Sequence, residues 1–487
     1  MTDLARRIVA GTGWLYGYRW LDRLLDFVAI VVLARVLAPD DFGLVAIAAS
    51  VVTIIEGLSA FDVNKALIRT RDDAHDLYDT AWTLSALRGI ASALIMIVVA
   101  QFVTDVRIAG VLCALALSPV MSGVSNPRFV MFERDLVYSK LAILTLGAKI
   151  VSVGVTLIIA LIYRNVWSLV IGMLGGALVS VVLSYALRPE RPRITVARCF
   201  DIFSFSGWLS LASVVTTLSM ETDKIIVGRL LGVADTGLYF MTQRIGVLPT
   251  RELISPLQRI LFPSYSELTH DMDRFRRAAL ESINILGSLS LPAAFGFALV
   301  ANDFVPLVLG DQWIVIVPLL IILVPYLGVR ATLSMTLPCV MALGRTQLLF
   351  WVSLVYALVH LPAFIAGTAV FGLTGAIWSI VLAGVFYSYL NVWLLRHTLD
   401  ISFASILVQL RRPFGATVLM AGVVVAFGAM LPIDLFSNGG SWLSLVTKTI
   451  VGGLVFGAAQ IAIWRIEGRP DGIERRLLQV LSRRGGG

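Results

Sequence analysis

Apolar runs of about twenty residues recur along the whole 487-residue chain, separated by short polar stretches. In a helix rising about 1.5 Å per residue, a run of that length crosses the roughly 30 Å hydrocarbon core of a bilayer. The pattern predicts fourteen spans, at 14–37, 42–62, 80–103, 106–125, 139–163, 166–187, 204–231, 237–262, 279–301, 314–340, 347–367, 373–396, 412–432 and 442–465. The fold expected is thus an all-α polytopic membrane protein. Loop charge tests the assignment. With Arg6 and Arg7 at the N-terminus placed in the cytoplasm, the segments on that side carry 25 Lys and Arg, including Lys65, Arg69, Arg71, Arg188, Arg191, Arg193, Arg198, Arg274, Arg276 and Arg277. The opposite loops carry Arg107 and Arg164 alone. Basic residues are retained on the cytoplasmic side, so both termini are expected there.

Composition narrows the class further. Apolar residues make up 58% of the chain and charged ones 14%, with a mean hydropathy of +0.88. A soluble chain of this length would divide into two or three domains with far more surface charge. The net charge of +8 does not indicate nucleic acid, because the basic residues cluster between apolar runs, as in loops beside anionic lipid. Cys113, Cys199 and Cys339 are far apart and form no CxxC or metal-ligand spacing. No cofactor is implied. The first segment is itself a full span with no small-residue cleavage site after a short core, and reads as an uncleaved start-transfer helix.

The chain repeats internally. At an offset of 194, Gly13-Trp14-Leu15 aligns with Gly207-Trp208-Leu209, Arg35 with Arg229, Asp41 with Asp235, and Gly43-Leu44 with Gly237-Leu238. At an offset of 211, Pro127, Arg134 and Trp167-Ser168 align with Pro338, Arg345 and Trp378-Ser379. Six spans separate the copies, an even number, so both share one orientation and are related by an axis along the membrane normal. The expected organisation is two six-helix lobes, 1–195 and 196–402, followed by an extra hairpin over 403–466 and a cytoplasmic tail over 467–487. In the tail, Ile473, Leu477, Val480 and Leu481 oppose Arg475, Arg476, Arg483 and Arg484, the pattern of an interfacial helix on anionic lipid.

These repeated residues carry a resemblance. Leu33-Ala34-Arg35-Val36-Leu37-Ala38-Pro39-Asp40-Asp41-Phe42-Gly43 is similar to the "LARxLxPxxxG" signature of Wzx-type polysaccharide flippases. Asp223 through Gly232, with Gly237-Leu238-Tyr239, resembles that family's "DxxxIGxxLG…GxY" segment, and Phe262-Pro263 and Leu309-Gly310 with Trp313 match its "FPxLS" and "LGxxW" landmarks, Tyr265 standing in place of the leucine. The chain resembles the WzxC-like branch of the polysaccharide transporters, in the superfamily that also holds drug/sodium antiporters and the peptidoglycan-precursor flippase. The resemblance implies transport of an oligosaccharide linked to undecaprenyl diphosphate across a bacterial inner membrane, from the cytoplasmic to the periplasmic leaflet. It implies as partners that lipid-linked oligosaccharide, membrane lipids, and a polysaccharide polymerase with its export machinery.

Charge inside the spans points to the same class of substrate. Arg19, Arg23, Arg35, Arg88, Lys149, Lys224, Arg229, Arg244, Arg251, Arg259, Arg330 and Lys448 lie within spans; the acids deepest among them are Asp22, Asp26, Glu56, Glu221, Asp223 and Glu252. Charges at such depth face a bundle interior or a water-filled cavity. A diphosphate crossing a layer of low dielectric needs counter-charge, which Arg supplies bidentately. The candidates for a cationic lumen are Arg19, Arg23, Arg88, Lys149, Arg244, Arg251 and Arg330; Arg35, Arg229 and Arg259 lie close enough to interfaces to snorkel. Spacings of seven and eight place Arg244, Arg251 and Arg259 on one face of a continuous helix. Arg19, Asp22, Arg23 and Asp26 share one arc of span 1, either as a self-neutralised stripe or as a substrate or ion contact. Asp22, Asp26, Glu221 and Asp223 are the candidates for ion coupling. Pro249, Pro292, Pro306, Pro318, Pro325 and Pro338 mark hinges or static bends. Of the four histidines only His360 lies in a span, where a satisfied core or interfacial role is expected.

A multidrug cation antiporter of the same superfamily would favour an acidic lumen, against the cationic surplus here. A membrane polymerase, ligase or glycosyltransferase would hold its substrate in a long outer loop. The longest outer loops, about 302–312 and 432–441, have some ten residues, and no GxxxxGK[ST] sequence is present to bind a nucleotide. A transporter, not an enzyme, is expected.

Overall fold

The computed structural model describes residues 3–58, 75–134, 137–190, 192–197, 199, 207–430 and 442–468, and among these there are helices and no strands. In chain order the helices are α1 (Asp3–Val36), α2 (Pro39–Leu58), α3 (His75–Gln101), α4 (Val106–Leu115), α5 (Leu117–Gly123), α6 (Val130–Arg134), α7 (Tyr138–Tyr163), α8 (Trp167–Leu187), α9 (Gly207–Leu230), α10 (Val233–Gly246), α11 (Leu248–Glu267), α12 (Met272–Phe304), α13 (Val317–Thr332), α14 (Thr336–Ala342), α15 (Thr346–Leu399), α16 (Phe403–Met430) and α17 (Trp442–Ile466). The tail helix expected beyond residue 468, and the basic loop with Lys65, Arg69 and Arg71, fall outside the described residues.

Ten helical stretches among the described residues are long and apolar enough to cross a membrane. The expected spans outside that set, 14–37, 204–231 and 237–262, fall on α1, α9 and α10–α11. All three are helical. What sets them apart is their charge, which makes them expensive in lipid and marks them as helices with a polar surface to face.

Prolines explain where spans break. A proline offers no N–H to the carbonyl four residues back, and its ring presses on that carbonyl. For Pro119, Pro249 and Pro338 the carbonyls concerned belong to Leu115, Ile245 and Ser334, and the helical ladder is interrupted at Ala116, at Val247 and over 333–335, with Ala116 and Val247 keeping right-handed helical backbone. Pro292 and Pro325 instead lie inside helices that run on past them. The 54-residue α15 contains the expected spans 347–367 and 373–396, because Gly372 takes a conformation (φ 62°, ψ −144°) that reverses the chain. The two halves then close on each other. A Cβ on Gly375 would lie 2.0 Å from the carbonyl oxygen of Gly367, and Ser379 Oγ donates to the Ala363 carbonyl at 2.9 Å.

The chain forms two compact units, Met1–Gly237 and Leu238–Gly487. The core of the first is apolar contact among α2, α3, α4 and α8, with Leu44, Ala48, Met96, Leu112, Leu115 and Val170 all buried. The α7–α8 pair is drawn tight because Gly172 and Gly176 leave room for Thr156 and Ser152. One end of this unit is held by charge. Arg128, just past the 3-10 turn's Asn126 cap, pairs with Asp79 of α3 at 3.6 Å and with Glu190 beyond α8, and its guanidinium lies 5.7 Å from the centre of the Tyr78 ring.

In the second unit a buried cluster of Ile254, Tyr265, Phe275, Ile283, Met335, Cys339 and Leu395 joins α11, α12, α14 and α15. Tyr265 stacks on Phe275 with ring centres 5.2 Å apart and donates to Ser282 Oγ at 2.6 Å. Polar contacts fasten the last two helices to α12: Asn284 donates to the Gln409 carbonyl at 2.8 Å, and Lys448 pairs with Asp303 at 2.7 Å, with Ser444 also bonded to Asp303. Glu467 closes the hairpin by pairing with Arg411 at 2.9 Å and with Arg412. Partial burial pushes the Glu467 carboxyl up, but the two arginines outweigh it and hold it below the usual glutamate range.

Lys448 is therefore a fastening of the hairpin to α12. Breaking one partner of such a pair leaves a charge uncompensated, whereas removing both does not. Lys448→Met should lower the thermal midpoint of the detergent-solubilised protein, and adding Asp303→Asn should recover part of the loss. Losses that simply add would show that the two residues do not act as a pair.

Candidate functional site

In the first unit the expected charges gather around α1. Lys149 of α7 places its Nζ 2.5 Å from Asp26 Oδ1 and 4.0 Å from Asp22 Oδ1. Sequence spacing set Asp22 and Asp26 against Arg19 and Arg23 of their own helix and left Lys149 as a lone mid-span cation. The structure gives Lys149 two acidic partners instead, because α1 and α7 pack side by side and bring together residues 123 positions apart. Arg19 and Arg23 are half-buried on the same helix, and Arg19 lies over the ring of Tyr18. Three bases and two acids leave this group with one surplus positive charge.

The other predicted residues of this unit lie on different helices. Glu56 near the end of α2 is within electrostatic reach of Arg88 on α3. On α9, Glu221 pairs with Lys224 at 2.6 Å through their three-residue spacing, while Asp223 points elsewhere and is buried. Gly57 meets Thr217, so α2 and α9 pack against each other close to these acids.

In the second unit Arg244 and Arg251 are both exposed, Arg244 with its guanidinium 5.8 Å from the Phe240 ring centre. They do not share one uninterrupted helix. Pro249 interrupts the hydrogen-bond ladder, so Arg244 ends α10 and Arg251 begins α11, although Val247 between them keeps a right-handed helical backbone (φ −80°, ψ −21°) and the Arg251 N–H donates to its carbonyl at 3.0 Å. The side chain of Arg259 is outside the described residues. Arg330 of α13 is half-buried, 5.6 Å from the Tyr387 ring centre and in hydrogen-bonding reach of the Tyr326 hydroxyl. Tyr326 is seated against Gly384, where a Cβ would overlap the ring. Tyr387 continues into an aromatic run: Tyr356 at 4.8 Å, His360 on Tyr356 at 5.1 Å, and Phe364 beyond it, the last two buried. His360 is thus a core residue of the second unit.

Sequence reasoning missed Asp79, Arg128 and Glu190, which lie outside the spans in which charge was sought. It also missed the tyrosines around Arg330. The one signal near Arg128 was the repeat anchor Pro127, and at the same offset Arg128 falls on Cys339. Among the described residues no group of three or more His, Cys, Asp or Glu is placed to hold a metal ion.

The long apolar helices, with charged helices carrying paired acids and surplus arginines among them, make this a multi-pass helical membrane protein. The chain superposes on the lipid II flippase MurJ in its inward closed conformation with a TM-score of 0.73, at 12% identity, covering 92% of this chain and 98% of that one. It superposes on an inward-facing multidrug resistance MATE transporter with a TM-score of 0.61, at 13% identity, covering 78% and 94%. At such identities the likeness speaks for the fold alone. Residues 32–318 match the polysaccharide biosynthesis protein family, and the chain belongs to that family. Its relatives include the succinoglycan biosynthesis transport protein ExoT of Rhizobium meliloti, 26% identical over 93% of this chain and 92% of that protein. Another is the lipopolysaccharide biosynthesis protein WzxC of Escherichia coli, 22% identical over 88% and 89%. A third is the teichuronic acid biosynthesis protein TuaB of Bacillus subtilis, 23% identical over 76% and 78%. The family expected from the motif order is the one found.

Proposed function

We propose that this protein is a flippase that carries an undecaprenyl-diphosphate-linked oligosaccharide from the cytoplasmic to the periplasmic leaflet of a bacterial inner membrane. It crosses the membrane fourteen times with both termini in the cytoplasm, as two six-helix lobes and an extra hairpin, and works by alternating access. The observation that carries this reading is the distribution of charge. The helices too polar to pass as lipid-facing spans, α1, α9 and α10–α11, hold Arg19, Arg23, Arg244 and Arg251, and the α1–α7 group keeps a net positive charge after its acids are paired. Each phosphate oxygen brought from water into a layer of low dielectric needs such partners. Arg19, Arg23, Arg88, Lys149, Arg244, Arg251 and Arg330 are assigned to the diphosphate. Asp22, Asp26, Glu221 and Asp223 are the acids available for ion coupling. An inside-negative potential favours outward movement of a dianionic headgroup by about 2.3 kcal/mol per charge per 100 mV, so transport proceeds downhill while the arginines stay fixed to the scaffold.

Arg251→Ala should abolish export of the cognate polysaccharide while leaving the protein in the membrane. Single cysteines at positions 244 and 251 should react with a small impermeant thiol reagent, and one at Tyr239, which is 1% exposed, should not. Normal glycan on cells carrying Arg251→Ala would remove that residue from the path. Efflux of organic cations by the unaltered protein, without glycan export, would instead favour a multidrug antiporter.

A further inference from the structure

Inside the spans, Lys149, Lys224 and Lys448 each pair with a carboxylate; among the described residues Arg330 of α13 does not. Its guanidinium is in hydrogen-bonding reach of the Tyr326 hydroxyl and lies 5.6 Å from the centre of the Tyr387 ring. A charge at that depth is costly alone. A phenol oxygen and a ring face ease the cost without cancelling the charge. The counter-charge is left for a ligand to supply.

Both tyrosines are set by the packing behind them. Tyr326 is 6% exposed, and its tip fills the space over Gly384, where a Cβ would stand 1.9 Å from the hydroxyl oxygen and 2.0 Å from Cζ. Tyr387 rests 4.8 Å from Tyr356, which stacks on the buried His360 at 5.1 Å. Side chains locked in this way lose little further freedom when a ligand arrives. Arg330 and Tyr387 are half-buried, so both keep surface for one.

The two residue types suit different chemistry. A diphosphate offers acceptors, which the N–H donors of a guanidinium satisfy. A sugar offers hydroxyls that both donate and accept, and a C–H face that packs on a ring; a tyrosine has a group for each. We propose that Arg330, Tyr326 and Tyr387 form a subsite for the junction of diphosphate and saccharide, Arg330 taking a phosphate oxygen and the tyrosines the sugar bonded to that phosphate. The inference rests on the transport reading proposed above and adds recognition of one sugar to it. A single oxygen joins that sugar to its phosphate, so a phosphate held on Arg330 puts the sugar ring beside phenols that already adjoin the guanidinium. A site for diphosphate alone has no use for their acceptors.

Native mass spectrometry of the purified full chain tests this by competition. Bare undecaprenyl diphosphate is paired in equal amounts with the same lipid bearing one glucose, galactose or N-acetylglucosamine, and the ratio of bound species is read. The unaltered protein should favour at least one sugar-bearing lipid by about tenfold, the worth of one or two hydrogen bonds. Tyr326→Phe with Tyr387→Phe keeps both rings in place and should abolish that preference. Gly384→Ala, which displaces Tyr326 without touching Arg330, should lower it as well. Each ratio comes from a single preparation, so a smaller folded fraction does not shift it. Arg330→Gln should cut occupancy of the folded protein by the bare lipid about tenfold, as loss of a charged hydrogen bond does. No preference in the unaltered protein, or a preference that survives the paired Phe change, overturns the subsite and leaves the flippase reading standing. Undiminished occupancy by the bare lipid in Arg330→Gln overturns it too. If the unaltered protein binds neither the bare lipid nor any sugar-bearing one, the transport reading itself fails, and the subsite with it.

Discussion

Lys149→Ala should abolish polysaccharide export and reduce the amount of protein in the membrane, and adding Asp26→Asn should restore the protein without restoring export. The single change leaves Asp26 and Asp22, one helical turn apart, without the ammonium that lies 2.5 Å and 4.0 Å from them. These side chains are only partly buried, so breaking the group from one side costs less than the about 3–5 kcal/mol of a fully buried ion pair. Asp26→Asn removes the carboxylate nearest the lost ammonium and returns the group to its original net charge, so folding recovers. Transport does not, if the task of Lys149 is to exchange Asp26 for a substrate phosphate as the headgroup arrives. The double variant thus separates two roles that either single variant confounds. Membrane levels by immunoblot and surface glycan by gel measure them, and export regained in the double variant would make the pair structural. Asp22→Asn with Asp26→Asn probes coupling in the same group. A well-folded double variant that transports without dependence on a sodium or proton gradient would make these acids the coupling site.

The ion pairs of the first unit show what sequence can and cannot say. Glu221–Lys224 was readable because three residues on one helix fix two side chains on one side. Asp26–Lys149 was not, because no local period links residues on different helices. Membrane helices themselves are legible because lipid forces every backbone bond inside the segment, and the expected spans all fall on helices where the residues are described. The arginine ladder assumed one continuous helix through Pro249, where the missing N–H separates α10 from α11 while the backbone of Val247 stays helical. Gly43 and Gly237 were visible as repeat partners, yet that they touch depends on how α2 meets α10, which alignment does not encode. Arg128 escaped because a charge outside a span reads as a solvated loop residue.

Arg128→Ala should be among the most destabilising single substitutions in the first unit. The guanidinium is buried, with its side chain 8% exposed, and so is Asp79, also 8%, at 3.6 Å. Glu190 completes a fork, and Asn126 ties the same corner together by accepting from the Arg128 N–H and donating to the carbonyls of Arg188 and Glu190. Loss of the arginine leaves the Asp79 carboxylate buried among Tyr78, Leu77 and Val130, all buried. The cost is about 3–5 kcal/mol, the penalty of an uncompensated buried charge rather than the worth of the pair. Arg128→Lys should recover only part, because an ammonium is a point charge and cannot fork between two carboxylates. Arg128→Met with Asp79→Leu should recover more than Lys does, since it removes both charges and keeps the volume filled. Thermal midpoints of the four purified proteins in one detergent rank these expectations. A midpoint for Arg128→Ala equal to that of the unaltered protein would mean the corner is wet, and that water, not Arg128, is what satisfies Asp79.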